Sequence, residues 1–272
     1  MVSTPAINKP AVYTFYNNIL LIAVIGLLPF GVVSSPTPKL LEFSFFFGVT
    51  LTFSLLFLYR ALKISEASDV SPVFAAISAI AAFGFGLLFL LGGLTGNFLT
   101  GFALLVIGTL VMSYFRFTWR SLFYVFLAGC LSALSSVLLK EIFNQTSFWN
   151  GLFWAELGGV TGVLFFLLVP SNRKDIRENL KQSSGGIKTV VVLNKALAGF
   201  AYFLIIYSIK LGNVSIVNAL GGTQFVFLLF LALIFGRKFP GYFHETTGIK
   251  EVLEKSVAMA AIIAGLIFLF VK

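Results

Sequence analysis

Long apolar stretches alternate with short polar gaps along this chain, and within the stretches apolar residues do not alternate with polar ones. Nine runs stand out, at 14–34, 41–59, 68–91, 98–114, 119–139, 148–169, 188–209, 214–235 and 257–271. A helix crossing a bilayer needs roughly 20 mostly apolar residues, whereas a membrane barrel strand shows about ten alternating ones. Only a helix satisfies its own backbone within lipid without a closed sheet. The pattern therefore predicts an all-α polytopic membrane protein of about nine transmembrane helices. The gaps carry turn and cap chemistry, with Ser35, Pro36 and Pro38 after the first run and Gly92, Gly93 and Gly96 after the third. Two longer gaps, 170–187 and 237–256, are charged with mixed sign and read as solvated loops.

Composition agrees with this solvent. Hydrophobic residues make up 58% of the chain and charged residues 11%, against about 25% charged in soluble domains. The net charge of +9 does not mark a nucleic-acid partner, because the basic residues sit in the gaps and form no basic domain. The N-terminus and the junctions after the second, fourth, sixth and eighth runs, with Arg120 and Lys188 at the starts of the next runs, hold 14 of the 19 Lys and Arg. The opposite gaps and the C-terminus hold 4, and Lys195 lies inside the seventh run. The positive-inside rule then places the N-terminus in the cytoplasm of a multi-pass cell-membrane protein. The first thirteen residues hold one basic residue, Lys9, and no small-residue cleavage site follows, so no signal peptide is expected.

Catalytic chemistry is not visible. Cys130 is the single cysteine and His244 the single histidine, which excludes an internal disulfide and an all-cysteine metal site. No Walker A loop or nucleophile elbow occurs. The expectation is a non-enzyme without a cofactor, whose partners are a small solute and membrane lipid, with a proton or ion as coupling partner. A homodimer is left open.

The chain also resembles itself. With an offset of 147, Lys63 pairs with Lys210, Ser68 with Ser215 and Val70 with Val217, each set at a junction between two apolar runs. Gly108 and Gly265 fall at similar places in the fourth and ninth runs. A repeat with an odd number of spans inserts its second copy upside down, and inverted repeats build transporters with the solute site between the halves.

Several segments carry a resemblance to a known family. They are Ala61-Leu62-Lys63 running into Ser68-Asp69-Val70-Ser71-Pro72, and the Gly101 to Gly108 spacing. In the second half they are Asn194-Lys195-Ala196-Leu197-Ala198-Gly199, Val217-Asn218-Ala219-Leu220, and Gln224. Over nearly its whole length the chain resembles the EamA-like branch of the drug/metabolite transporter superfamily. That resemblance implies ten helices in two inverted five-helix repeats around a central cavity. Here the first helix is absent from the pattern, which gives a four-helix repeat at 1–117 and a five-helix repeat at 118–272. The family commonly keeps both termini in the cytoplasm. The charge distribution here instead puts the gap holding Arg60 and Lys63 inside and the C-terminus outside.

An ionisable residue deep in a span costs about 2.5 kcal/mol or more unless paired or hydrated. Two such residues are Glu156, in the sixth run, and Lys195, in the seventh. Lys195 either snorkels to the inner surface or faces a wet cavity. Glu156 either makes a structural hydrogen bond or binds solute or a proton. Asn194 and Gln224 are polar and central enough to join them, while Asn218 and Ser71 lie near helix ends, where capping competes. Gly158-x-x-x-Gly162 in the sixth run, and Ala128, Ser132 and Ser136 in the fifth, form small-residue faces for close helix packing. The leading functional reading is a secondary transporter of a small organic solute, such as a metabolite or drug-like molecule. The alternatives are a flippase, or its membrane subunit, for a lipid-linked carrier, and a non-transporting membrane scaffold.

Overall fold

The computed structural model describes residues 9–65, 67–89, 96–112, 118–182 and 185–221, together with positions 257, 261, 264 and 265. Helix α1 (Pro10–Ile19) opens on a proline, which is preorganised for a first helical position. It continues into a 3₁₀ stretch (Leu20–Phe30) that ends at Gly31, where φ is 65° and glycine carries no steric cost. Helix α2 (Pro38–Ile64) is capped by the Thr37 hydroxyl, which accepts from the Leu40 N–H at 3.2 Å. Then follow α3 (Ala67–Phe89), α4 (Gly96–Met112) and α5 (Trp119–Gln145). Thr118 caps α5 by accepting from the Ser121 N–H at 3.3 Å. The remaining elements are α6 (Phe148–Phe166), α7 (Pro170–Gln182), α8 (Gly185–Leu211) and α9 (Val214–Leu220).

No strand occurs among the described residues. Three of the helical stretches, Pro10–Phe30, Pro38–Ile64 and Trp119–Gln145, are long and apolar enough to cross a membrane. A fourth, α6 joined to the start of α7, passes the same test but is bent by 101°. The protein is an all-α membrane protein.

One connector differs from expectation. The gap after the sixth run was expected to be a solvated loop, yet Pro170–Gln182 forms helix α7. Its polarity conceals a narrow apolar edge, since Ile176 is buried against Val12, Tyr13 and Phe166. The turn into it is secured by the side chains that follow. Asn172 donates to the Phe166 carbonyl at 3.2 Å, and Arg173 donates to the carbonyls of Leu167 and Leu168 at the end of α6. The second long gap, 237–256, lies outside the described residues, as does nearly all of the eighth run beyond 221.

Helix α2 is the centre of the bundle and packs along both α5 and α6, while α3 packs on α5 and α9. Glycine sets the α2–α6 approach. A methyl group on Gly48 would overlap the Gly158 carbonyl, one on Gly158 the Ser44 carbonyl, and one on Gly162 the Gly48 carbonyl. Gly158-x-x-x-Gly162 thus lies against backbone, which is how helices associate where lipid gives no hydrophobic drive. The fifth-run face behaves likewise, with the Ser54 hydroxyl of α2 donating to the Ala128 carbonyl at 2.9 Å.

Polar contacts sort the connecting segments into two ends of the bundle. At one end Lys9 meets Asp175 and Glu178 of α7 at 2.7 and 2.9 Å, and the Ser65 hydroxyl donates to that of Ser121 at 2.8 Å. The hydrogen bonds that it donates to Asp175 and then to Glu178 hold the Lys9 ammonium above its ordinary pKa. At the other end the Ser34 N–H donates to Asn150 at 2.9 Å, and the Trp154 indole donates to the Ser34 carbonyl at 3.1 Å. There too Lys140 donates to the carbonyls of Ile209, Lys210 and Gly212 at 3.0, 2.9 and 2.8 Å. Lys210 returns the contact by donating to the carbonyls of Phe143 and Thr146. Helices that cross and return produce this grouping of alternate junctions.

Candidate functional site

Glu156 is the ninth residue of α6, about 12 Å along the helix axis from Phe148. It is 5% exposed, and neither carboxylate oxygen has a hydrogen-bond partner among the described residues. Its neighbours one or two turns away on the same face, Leu152, Val160 and Val163, are buried apolar residues. A buried polar group without a partner is costly, roughly 1–3 kcal/mol on protein scales.

A second group shares this surrounding. The Tyr202 hydroxyl on α8 is buried without a partner among the described residues and lies within electrostatic reach of Glu156. Tyr202 packs against the large apolar cluster that joins α2, α3, α5, α6, α8 and α9, through Phe47, Ala82, Ala133, Ala155, Ile206 and Val214, and Glu156 follows the cluster member Ala155 in the chain. Tyr202 was not singled out in the sequence. The available signal was spacing, because residue 202 follows position 195 by two helical turns and so shares its face of α8.

A polar group of a different kind lies between α3, α5 and α9. The Ser78 hydroxyl donates to Asn218 Oδ1 at 3.0 Å and the Ser136 hydroxyl to the same oxygen at 3.5 Å, while Asn218 Nδ2 donates to the Val214 carbonyl at 2.9 Å. The capping role expected to compete for Asn218 is filled by Asn213, whose Oδ1 accepts from the Ser215 N–H at 2.8 Å. Asn218 is thereby free to face neighbouring helices. Ser71 is half-buried two turns before Ser78 on α3, so the two share a face.

The structure therefore places Glu156 in a buried position on α6, and Ser71 and Asn218 on the packed pair α3 and α9. Positions 194 and 195 lie in α8, but the side chains of Asn194 and Lys195 fall outside the described residues, and so does Gln224. Among the described residues no cluster of three or more His, Cys, Asp or Glu is arranged to hold a metal ion.

No known family model matches the sequence, and no curated protein matches it. Solved structures do match. A protein known from its crystal structure superposes with a TM-score of 0.60 over 96% of this chain and 86% of its own, at 16% sequence identity. At that identity the likeness is one of fold, and the fold of this all-helical membrane protein is one that crystal structures already contain.

Proposed function

We propose that the protein is a secondary transporter of a small organic solute, with nine spans arranged as the EamA-like pattern implies and Glu156 as the group that takes up a coupling proton. The observation that carries this reading is the buried carboxylate itself, without a partner among the described residues on an apolar helix that apolar residues would stabilise better. Ser71, Asn194, Lys195, Asn218 and Gln224 are the proposed solute-facing groups, with Tyr202 beside Glu156.

Two observations support the repeat. Helices α2 and α8 are both 27 residues long, and their starts, their ends and the starts of the helices that follow all differ by the same offset of 147. The face that α2 turns to α5 includes Ser54, Phe57 and Ala61, with Ala61 fully buried and Phe57 stacked on Tyr124. The equivalent positions on α8 are Ala201, Leu204 and Ser208, all exposed. That is the outcome expected when the four-helix half lacks a counterpart of α5. Alternating access would rock one half against the other, with the glycine contact between α2 and α6 as a tight point of articulation.

The transport reading is tested with purified protein in liposomes carrying a pH-sensitive dye and an imposed pH gradient. Addition of the transported solute should release a proton flux that empty liposomes lack. A panel of organic cations, anions and zwitterions that moves neither protons nor itself would end the proposal.

Orientation is tested separately. The proposed topology has the end containing Lys9 and α7 in the cytoplasm. In a Cys130→Ser background, Asn144→Cys should react with an impermeant maleimide on intact cells, whereas Ser171→Cys should react only after permeabilisation. The reverse labelling would invert the topology.

A further inference from the structure

We infer that α7 carries a binding site for the phosphate of an anionic phospholipid headgroup. The inference begins with where α7 lies. It turns by 101° from α6, so a helix that leaves the bilayer along α6 continues along its surface. Tyrosines mark the same level. Tyr13 and Tyr59, whose rings are 5.2 Å apart, and Tyr16 belong to or pack against the apolar cluster that holds the buried Ile176 of α7, and tyrosine favours the boundary between hydrocarbon and headgroups.

At this level a surface pocket of about 300 Å³ is lined by Arg173, Lys174, Arg177 and Glu178. All four side chains are exposed. The acidic member is already engaged, since Glu178 accepts from Lys9 at 2.9 Å. Arg173 is fixed in place by its bonds to the Leu167 and Leu168 carbonyls, which use two of its five donors and leave three. Lys174 and Arg177 have no carboxylate partner within salt-bridge distance among the described residues. The pocket thus joins one pre-oriented guanidinium with two uncommitted cations, and planar guanidinium groups bind phosphate oxygens in pairs.

Charge complementarity and depth together select the ligand. A soluble anion meets the pocket only from bulk solution, whereas a lipid phosphate is held at the height of α7 by its own acyl chains. Basic side chains at such surfaces each gain about fivefold in binding to anionic lipid. The site is separate from Glu156 and does not depend on the transport reading.

The test uses the full chain extracted in mild detergent with a defined mixture of phosphatidylglycerol and phosphatidylcholine, and counts retained lipids by native mass spectrometry. Wild type should retain phosphatidylglycerol in preference to phosphatidylcholine. The double variant Lys174→Gln/Arg177→Gln, whose changes lie on exposed side chains, should lose that preference by roughly tenfold or more, since two charges are removed. Equal retention of both lipids by wild type, or an unchanged preference in the double variant, would overturn the site. A third arm adds inorganic phosphate at millimolar concentration. Displacement of the retained lipid at that concentration would identify a soluble-anion site and overturn the lipid assignment, while persistence of the adduct supports it.

Discussion

Glu156→Gln should reduce solute-dependent proton flux by more than about tenfold, a loss of about 1.4 kcal/mol in transition free energy. The amide keeps the shape of the carboxyl but cannot take up and release a proton at neutral pH. A companion substitution separates function from folding. Glu156→Met removes a buried carboxyl that lacks a partner among the described residues and replaces it by an apolar side chain of similar length. It should therefore raise resistance to thermal unfolding, by about 1–3 kcal/mol, while transport is lost. Thermal unfolding in detergent and flux in liposomes, measured on the same preparations, check both halves. A Glu156→Met protein that is less stable than wild type would show that the carboxyl has a structural partner, and full activity in Glu156→Gln would remove it from coupling.

The second large effect concerns the α2–α6 contact and uses one substitution at two places. Gly158→Ala puts a methyl group into the Ser44 carbonyl, and overpacking of this kind costs about 1–3 kcal/mol. Gly84→Ala, in α3, meets no atom of the described residues within 4 Å and should stabilise its helix by up to about 1 kcal/mol. The same chemical change is thus expected to have opposite signs, which thermal unfolding reads directly. Gly158→Ala combined with Gly162→Ala should leave little folded protein. If Gly158→Ala and Gly84→Ala behave alike, backbone contact is not what joins α2 to α6.

The first seven apolar runs revealed helices that the structure describes, because in a bilayer the solvent itself selects them, and the small-residue motif at Gly158 and Gly162 revealed the contact it makes. Helix α7 was hidden for the complementary reason. Eleven of its thirteen residues are charged, polar or proline, and the buried apolar anchor Ile176 is too little signal to distinguish a surface helix from a loop. The site was legible only in part. Glu156 stood out because a charge in an apolar run is conspicuous, whereas Tyr202 and Ser78 did not, because tyrosine and serine are ordinary packing residues in membrane helices. Asn213 and Asn218 show a further limit. Two asparagines five residues apart flank one helix start, and only the backbone geometry decides which of them caps it and which faces its neighbours.

The reciprocal bonds of Lys140 and Lys210 have a consequence for how the protein settles in its membrane. Both residues belong to the basic-poor side, yet each ammonium is held against main-chain oxygens near the end of another helix, where the helix dipole leaves partial negative charge. They work as counterions to the fold and present little free charge to headgroups. The charge asymmetry that a bilayer experiences is therefore steeper than a count of lysines and arginines suggests. A substitution that freed Lys140, such as a proline near residue 210 that displaced its acceptors, would disturb helix ends and membrane orientation together.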